Sequence, residues 1–514
     1  MDLASWRWKR QAHPVNHAPS ATERDPDNSG RSRSRESEPA AWVQRLGSYP
    51  WWVVGTVCIG ALMGQIDASI AQIILPALEV QFRASVGAVA WVSVAYLLVM
   101  AAMLPVAGWL ADQQGRKRLY VFGLGLFGVG STVCGFAPNL PVLIIARMVQ
   151  ALGGTLLSAN SVALIVSAVG PGDRGKALGI QSAAQAIGLC IGPALGGLLL
   201  NTLGWRWVFW INVPISVVGW VAARWILPRT SDLPAPKPLD VPGVACLVPG
   251  LAFLFLALHG AGHAGTGPGV LVGYSLGAGI CLVGLVRREL RATSPLLDFA
   301  LIRDRSFAAG SIAGLLSYVI LFATFFVLPF VLVRAYGDSS FSTGLQLAII
   351  PTVLAMMAPV GGILNDRFGA RTPTVMGMLL IAAGLGALAL ALDGEAAGRG
   401  ISLAGLGLLG AGQGLFIAPN NSSVMSVARP DEKGQAGGLI NLMRSLGMSL
   451  GITLGSVLLT GGSRHATVIE LLQGSRRTWL VLAGVAVVAA VLSGLRPSSG
   501  GKPGSGSSRT TTGV

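Results

Sequence analysis

Asp67 stands in the run Gln65-Ile66-Asp67-Ala68-Ser69, within an apolar stretch long enough to cross a bilayer. A carboxylate at that depth costs roughly 2.5–3.5 kcal/mol on insertion scales, so acids placed there usually face a cavity and work in it. Such an acid can take up and give up a proton, and a lipophilic cation can compete for its charge. The plainer alternative is a carboxylate bonded to a neighbouring Ser or Gln. Arg147, in Arg147-Met148-Val149-Gln150, stands near the start of a second apolar stretch. Either it snorkels outward to the headgroups, or it turns inward onto backbone carbonyls or a carboxylate. In the second case its fixed charge helps to eject a proton from a nearby acid. Glu79, just past Pro76, reads as interfacial or as lining an exit path.

Two further patterns concern movement. The uncharged stretch Leu178 to Leu200 carries Gly188, Gly192-Pro193 and Gly196-Gly197. Small residues four apart on one helix let another backbone approach closely, and Pro193 removes a backbone donor and invites a bend. A tightly packed, inert helix is the alternative. The second pattern is Gly108-Trp109-Leu110-Ala111-Asp112-Gln113-Gln114-Gly115-Arg116-Lys117-Arg118. An acid at a helix end, a turn glycine and a basic cluster make a latch, in which Asp112 caps the next helix or pairs with a base across a domain interface. The same cluster is also a topology signal.

These residues need a membrane scaffold to position them. The 514 residues are 52% hydrophobic and only 11% charged, with a mean hydropathy of +0.64. That lies outside the soluble range. Fourteen apolar stretches of roughly 18–26 residues have spanning length. The formal charge of +15 does not mark a nucleic-acid partner, because it is spread over alternate loops. Arg116-Lys117-Arg118, Arg174 and Lys176, Arg229 and Lys237, Arg287 to Arg305, Arg367 and Arg371, and Arg429 and Lys433 follow the even-numbered stretches. The positive-inside rule places both termini in the cytoplasm. The loop at 461–477, with Arg464, Arg476 and Arg477, breaks the pattern and reads as an outer hairpin over a cavity or as a plain connection. His259 and His263 have no third ligand with them, so no metal site is expected. Cys58, Cys134, Cys190, Cys246 and Cys281 form neither a metal pattern nor a disulfide framework. No phosphate loop or nucleophile–base pair points to an enzyme, and no catalytic residue is assigned.

The chain repeats itself. Gly362-Ile363-Leu364-Asn365-Asp366-Arg367-Phe368-Gly369 echoes the latch at Gly108, and Glu432-Lys433-Gly434 echoes Asp173-Arg174-Gly175. In that register Gly188, Gly192 and Gly196 match Gly447, Gly451 and Gly455, Pro193 matches Ile452, and Gln185 matches Arg444. An internal repeat of this kind predicts two parallel six-helix halves with a site between them and alternating access by rocking. The expected fold is therefore an all-α polytopic membrane protein of two six-helix bundles plus two extra central helices. The division is a disordered tail over 1–47, a first bundle over 48–230, a linker and two helices over 231–305, a second bundle over 306–495 and a tail over 496–514.

Taken together, these motifs resemble the major facilitator superfamily, in particular its fourteen-helix drug:proton antiporter branch. The resemblance rests on Asp67 through Leu75-Pro76, and on Gly108-x-Leu110-x-Asp112-x-x-Gly115-Arg116-Lys117, where Gln113 replaces a commonly basic residue. It rests also on Arg147-x-x-Gln150-x-x-Gly153, on Gly188-x-x-x-Gly192-Pro193-x-x-Gly196-Gly197, and on Trp205-Arg206-Trp207 through Asn212-Val213-Pro214. It implies proton-coupled export, with Asp67 and Arg147 carrying the coupling and the glycine helix marking antiport. It also implies a multi-pass protein of the cell's inner membrane. The expected partners are protons, a small lipophilic substrate and membrane lipid, with no obligatory protein partner. No cofactor is expected, because the proton gradient is the drive. Gln181, Gln185, Gln413, Asn420, Asn441 and Arg444 are the candidate cavity residues, and Gln413 and Asn420 read equally well as helix-packing groups. A proton-coupled uptake permease or facilitator and a non-transporting membrane sensor are the alternatives.

Overall fold

The computed structural model describes residues 36–496 apart from 46, 231–238, 262–265, 292–300, 302, 392–395, 429–432, 462 and 464–465. Of the expected tails over 1–47 and 496–514, residues 1–35, 46 and 497–514 lie outside the described residues, as do 231–238 of the linker, His263 and Arg464. The inner ends of both tails are not free: Ala41–Gln44 form a helical turn, Glu36 bonds the Arg118 amide, and Arg496 is buried.

Fourteen helices long and apolar enough to cross a membrane follow one another, and no strand occurs among the described residues. They are α1 (Tyr49–Ile73), α2 (Val86–Gln114), α3 (Arg116–Phe136), α4 (Leu140–Ala168), α5 (Arg174–Thr202), α6 (Arg206–Ile226), α7 (Val241–Ala261) and α8 (Pro268–Glu289), then α9 (Arg305–Phe330), α10 (Ser340–Phe368), α11 (Arg371–Leu390), α12 (Ala396–Val427), α13 (Lys433–Thr460) and α14 (Val468–Gly494). Helices prevail because backbone groups inside hydrocarbon must be satisfied within their own segment.

Each helix end has a local cause. Asn139 caps α4 by accepting from the Val142 amide at 3.0 Å, and Asp304 caps α9 at Phe307 at 2.9 Å, each relieving an orphan amide of a first turn. Gly115 and Gly369 end α2 and α10 at φ of 98° and 74°, a region where a side chain is strained. Ile74 separates α1 from a short helix, Leu75–Phe82, which has Pro76 in its first turn. α6 is broken at Ile211 into Arg206–Trp210 and Asn212–Ile226. The expected loop over 461–477 is shorter than its charges suggested. A capping box between Thr467 and Glu470 starts α14 at Val468, which draws Arg476 and Arg477 into the helix.

The packing repeats as the helices do. In the first half α1 packs on α5 and α6, and α4 on α2 and α3; in the second, α9 packs on α13 and α14, and α12 on α10 and α11. Two contacts fix the register. A side chain at Gly188 would meet the Leu62 carbonyl at 2.6 Å, and one at Gly447 would meet the Leu315 carbonyl at 2.5 Å. Lipid supplies no hydrophobic drive between helices, so close backbone contact of this kind holds such bundles together.

The halves meet along two seams, α2 with α13 and α5 with α10. On the face away from the termini, Gly197 abuts the backbone of Ser340 and Phe341, and Gly344 abuts the Pro193 carbonyl. Toward the termini-bearing face a side chain built at Gly175 or Gly179 of α5 or at Gly362 of α10 would meet no atom within 4 Å. The backbone-to-backbone contacts of this seam named above lie on the face away from the termini. α7 and α8 form a hairpin tied by Arg288 to Asp240 at 3.0 Å. α7 lies against both α2 and α13, and α8 is the least buried of the fourteen.

Candidate functional site

Asp67 is fully buried inside the first bundle. Its Oδ2 accepts from Arg147 Nη1 at 2.7 Å, and its Oδ1 accepts from Gln150 Nε2 at 2.9 Å and from Asn212 Nδ2 at 3.0 Å. Arg147 shares Nη1 with Gln150 Oε1 at 2.6 Å and donates its Nε to the Val92 carbonyl at 3.2 Å. Gln150 also donates to Ser131 Oγ at 2.7 Å. The guanidinium carbon lies 4.2 Å from the Tyr96 ring centre and 5.7 Å from that of Phe209. Helices α1, α2, α3, α4 and α6 therefore each contribute to one polar cluster.

The architecture dictates this meeting. Gln150 lies one turn from Arg147 on α4, so both face α1. The break at Ile211 starts the second segment of α6 at Asn212, opposite Asp67. The aromatic faces shield the ion pair and add cation–π attraction. Taking two charges out of water costs several kcal/mol for each ion, which only close geometry and further hydrogen bonds recover. Removing either partner leaves the other as an unpaired buried charge.

Several expectations are met and others are corrected. Arg147 turns inward and does not snorkel. Asp67 does not face a cavity between the halves: it is fully buried behind the wall of the first bundle and saturated by protein donors. Gln413 bonds across the second bundle, accepting from Ser317 Oγ at 2.6 Å and donating to the Ser317 carbonyl at 3.0 Å. Asn420 donates to the Gly310 carbonyl at 3.2 Å and accepts from Arg496. Both are helix-packing groups, not cavity groups. Gln181 is buried, Gln185 and Arg444 are half-buried, and Asn441 is exposed. The Arg444 guanidinium lies 5.5 Å from the Tyr318 ring centre.

The latch is local in this structure. Asp112 pairs with Arg116 of its own turn at 3.2 Å, not with a base of the other half. Lys117 Nζ donates to the Ser37 carbonyl at 2.9 Å, and Glu36 accepts from the Arg118 amide at 2.9 Å and the Thr230 amide at 2.7 Å. The segment before α1 therefore seats on the turn at Gly115. In the echo of the latch, Asp366 and Arg367 are both exposed. Within the glycine helix, Gly188, Gly192 and Gly196 face α1, and Gly197 and the Pro193 carbonyl face α10. One motif thus serves both a bundle and the seam between bundles.

Sequence reasoning missed the roles of Asn212, Tyr96 and Ser131. Asn212 reads as a bend-former beside Pro214, yet a buried amide in an apolar span is itself a sign of a partner. Tyr96 and Ser131 carry no such sign.

The chain is similar to known proteins along most of its length. The family model for the Major Facilitator Superfamily matches residues 57–452. The chain is 32% identical over 414 residues to the tetracenomycin C resistance and export protein of Streptomyces glaucescens, covering 80% of this chain and 77% of that one. It is 30% identical over 406 residues to the riboflavin transporter RibZ of Clostridioides difficile, covering 78% and 86%. The solved structure of the xylose transporter XylE from E. coli, in a partially occluded inward-open conformation, superposes with a TM-score of 0.61 at 16% identity, covering 89% of this chain and all of that one.

Proposed function

The chain belongs to the major facilitator superfamily of transporters, and from that premise we propose that it is a proton-coupled antiporter exporting lipophilic drugs or secondary metabolites from the cytoplasm by alternating access. In this reading both termini lie in the cytoplasm, the protein sits in the inner membrane, and the proton gradient drives the cycle without a cofactor or a protein partner. The observation that carries it is the Asp67–Arg147 pair, buried within one moving half. Protonation of Asp67 from outside frees Arg147 and repacks α1 against α4. Deprotonation toward the cytoplasm restores the pair. Because the pair lies behind the wall of its bundle, coupling to cargo passes through helix packing and not through direct competition for the carboxylate. The export relative supports the outward direction.

A second reading keeps the fold and changes the cargo and direction: an uptake permease or facilitator for a small metabolite. The relative named as a riboflavin transporter favours keeping it.

The test is purified protein in proteoliposomes with an imposed pH gradient and ethidium as probe. Under antiport, ethidium moves against its own gradient and protons move the other way, and Asp67→Asn reduces both to the level of protein-free vesicles. Coupled movement that persists in Asp67→Asn would remove that residue from the mechanism. Movement of cargo and protons in the same direction would replace the reading by the permease.

A further inference from the structure

On the face away from the termini a charged pair joins the two halves, and neither the buried cluster nor the glycine seam makes use of it. Glu79, on the short helix after α1, accepts at Oε1 from Arg334 Nη1 at 2.7 Å. Arg334 belongs to the second half. It sits in a π-helical turn, Val331–Ala335, that continues α9, and it also donates to the Ala466 carbonyl, between α13 and α14, at 2.8 Å. The Glu79 side chain is 9% exposed and that of Arg334 27%, so the pair is largely shielded from water and its attraction is little screened. A π-turn is a costly way to leave a helix and gathers at functional positions. Here it turns Arg334 toward the first half.

We propose that Glu79 and Arg334 are the outer gate, an ion pair that holds the far face closed and must part once in every cycle. The inference rests on the alternating-access reading above, and it adds positioning residues to that reading. Three observations converge on it. The pair is one of the contacts between the halves on the closed face. It lies on the same face as the Gly197–Ser340 and Gly344–Pro193 backbone contacts, which must separate together with it. Arg334 further ties Glu79 to the chain between α13 and α14, so opening moves α1, α9 and α13 as one event. Removing one member leaves the other as a shielded lone charge, which destabilises the closed face relative to the open one.

The experiment reads conformation and needs neither cargo nor proton movement, so the gate can fail while antiport stands, and the reverse. Thr343 is buried in α10 beside the seam. Thr343→Cys in the otherwise intact chain reports the opening of the far face to a membrane-impermeant maleimide, against the same chain without the reporter. Labelling is expected to be roughly five- to tenfold faster in Glu79→Gln or Arg334→Gln, the change that loss of one shielded partner produces in a two-state balance. The exchange Glu79→Arg with Arg334→Glu is expected to return it toward the original rate. Unchanged labelling in both single variants overturns the proposal. Should those variants not insert, Glu79→Asp serves, because it keeps the charge and draws the carboxylate one carbon back from Arg334. Faster labelling of the reporter is expected, and a rate equal to that of the intact chain would also overturn the gate.

Discussion

In the first half, Asp67, Arg147, Gln150 and Ser131 occupy the positions that Ile320, Leu406, Leu409 and Leu385 occupy in the second. The register follows from the paired contacts Gly188–Leu62 and Gly447–Leu315, and from Gly153–Gly123 and Gly412–Gly377. All eight residues are buried. The same helix pairs and the same glycine contacts therefore form with a charged centre in one half and a hydrocarbon centre in the other. The polar cluster is thus not a requirement of the fold. It is tolerated at a cost by a scaffold that packs without it, which is what a working group looks like when its structural role is subtracted.

The largest expected effect comes from unbalancing that difference. Arg147→Leu leaves Asp67 as a buried carboxylate with only amide donors. Thermal unfolding in detergent should show a loss of about 3–5 kcal/mol, together with loss of coupled transport. The joint change Asp67→Ile, Arg147→Leu, Gln150→Leu and Ser131→Leu, with Asn212→Leu to remove the amide that would otherwise lose its acceptor, makes the first half resemble the second. Stability should return to the starting value or exceed it by about 1–4 kcal/mol, while proton release on addition of cargo stays absent. If the joint variant is as unstable as Arg147→Leu, the cluster is a structural requirement and the comparison fails. A smaller effect belongs to the second half. Gln413→Leu removes the partner of Ser317 and should cost about 1–2 kcal/mol without altering proton release. A change in coupling there would make the second half an active partner.

The smallest effect concerns the second half's own buried charge. Arg496 lies just beyond α14, is almost wholly buried, and bonds Asn420. Burial pushes its guanidinium down to about 10. A folded-state value below the unfolded one means that folding is opposed by the charge at neutral pH and is relieved as pH rises through that value. Arg496→Gln should therefore raise stability by about 1 kcal/mol at pH 7 and remove the rise that sets in as pH passes about 10, as read from denaturation midpoints at pH 7 and at the alkaline limit above 10 that the folded protein tolerates.

How much of this could be read from the sequence depends on the kind of signal. Span length and hydropathy are written residue by residue, so the fourteen helices and the twofold repeat are legible. Asp67 and Arg147 stand out because ionised groups are expensive in hydrocarbon. That they pair with one another is not legible, since it depends on α1 meeting α4 far along the chain. Uncharged amides carry less information. Gln413 packs two helices together and Gln150 bonds the buried ion pair, yet the two are the same residue type in equally apolar surroundings. Asn212 beside Pro214 reads as a bend, and α6 does break at Ile211, but that the break aims the Asn212 amide at Asp67 is a tertiary fact that no local pattern carries. The charges at Arg464, Arg476 and Arg477 suggested a loop because they break the topology pattern, whereas the local capping signal of Thr467 and Glu470 decides where α14 begins.

The placement of α7 has a mechanical consequence. Ala101 and Ala102 of α2, Leu247 and Leu251 of α7, and Leu439 and Leu442 of α13 belong to one apolar cluster. A single oily core is thus shared by both halves and by the hairpin along one seam. Prising the hairpin away would bare apolar surface on both halves at once, so α7 acts as a rivet through that seam and not as an appendage.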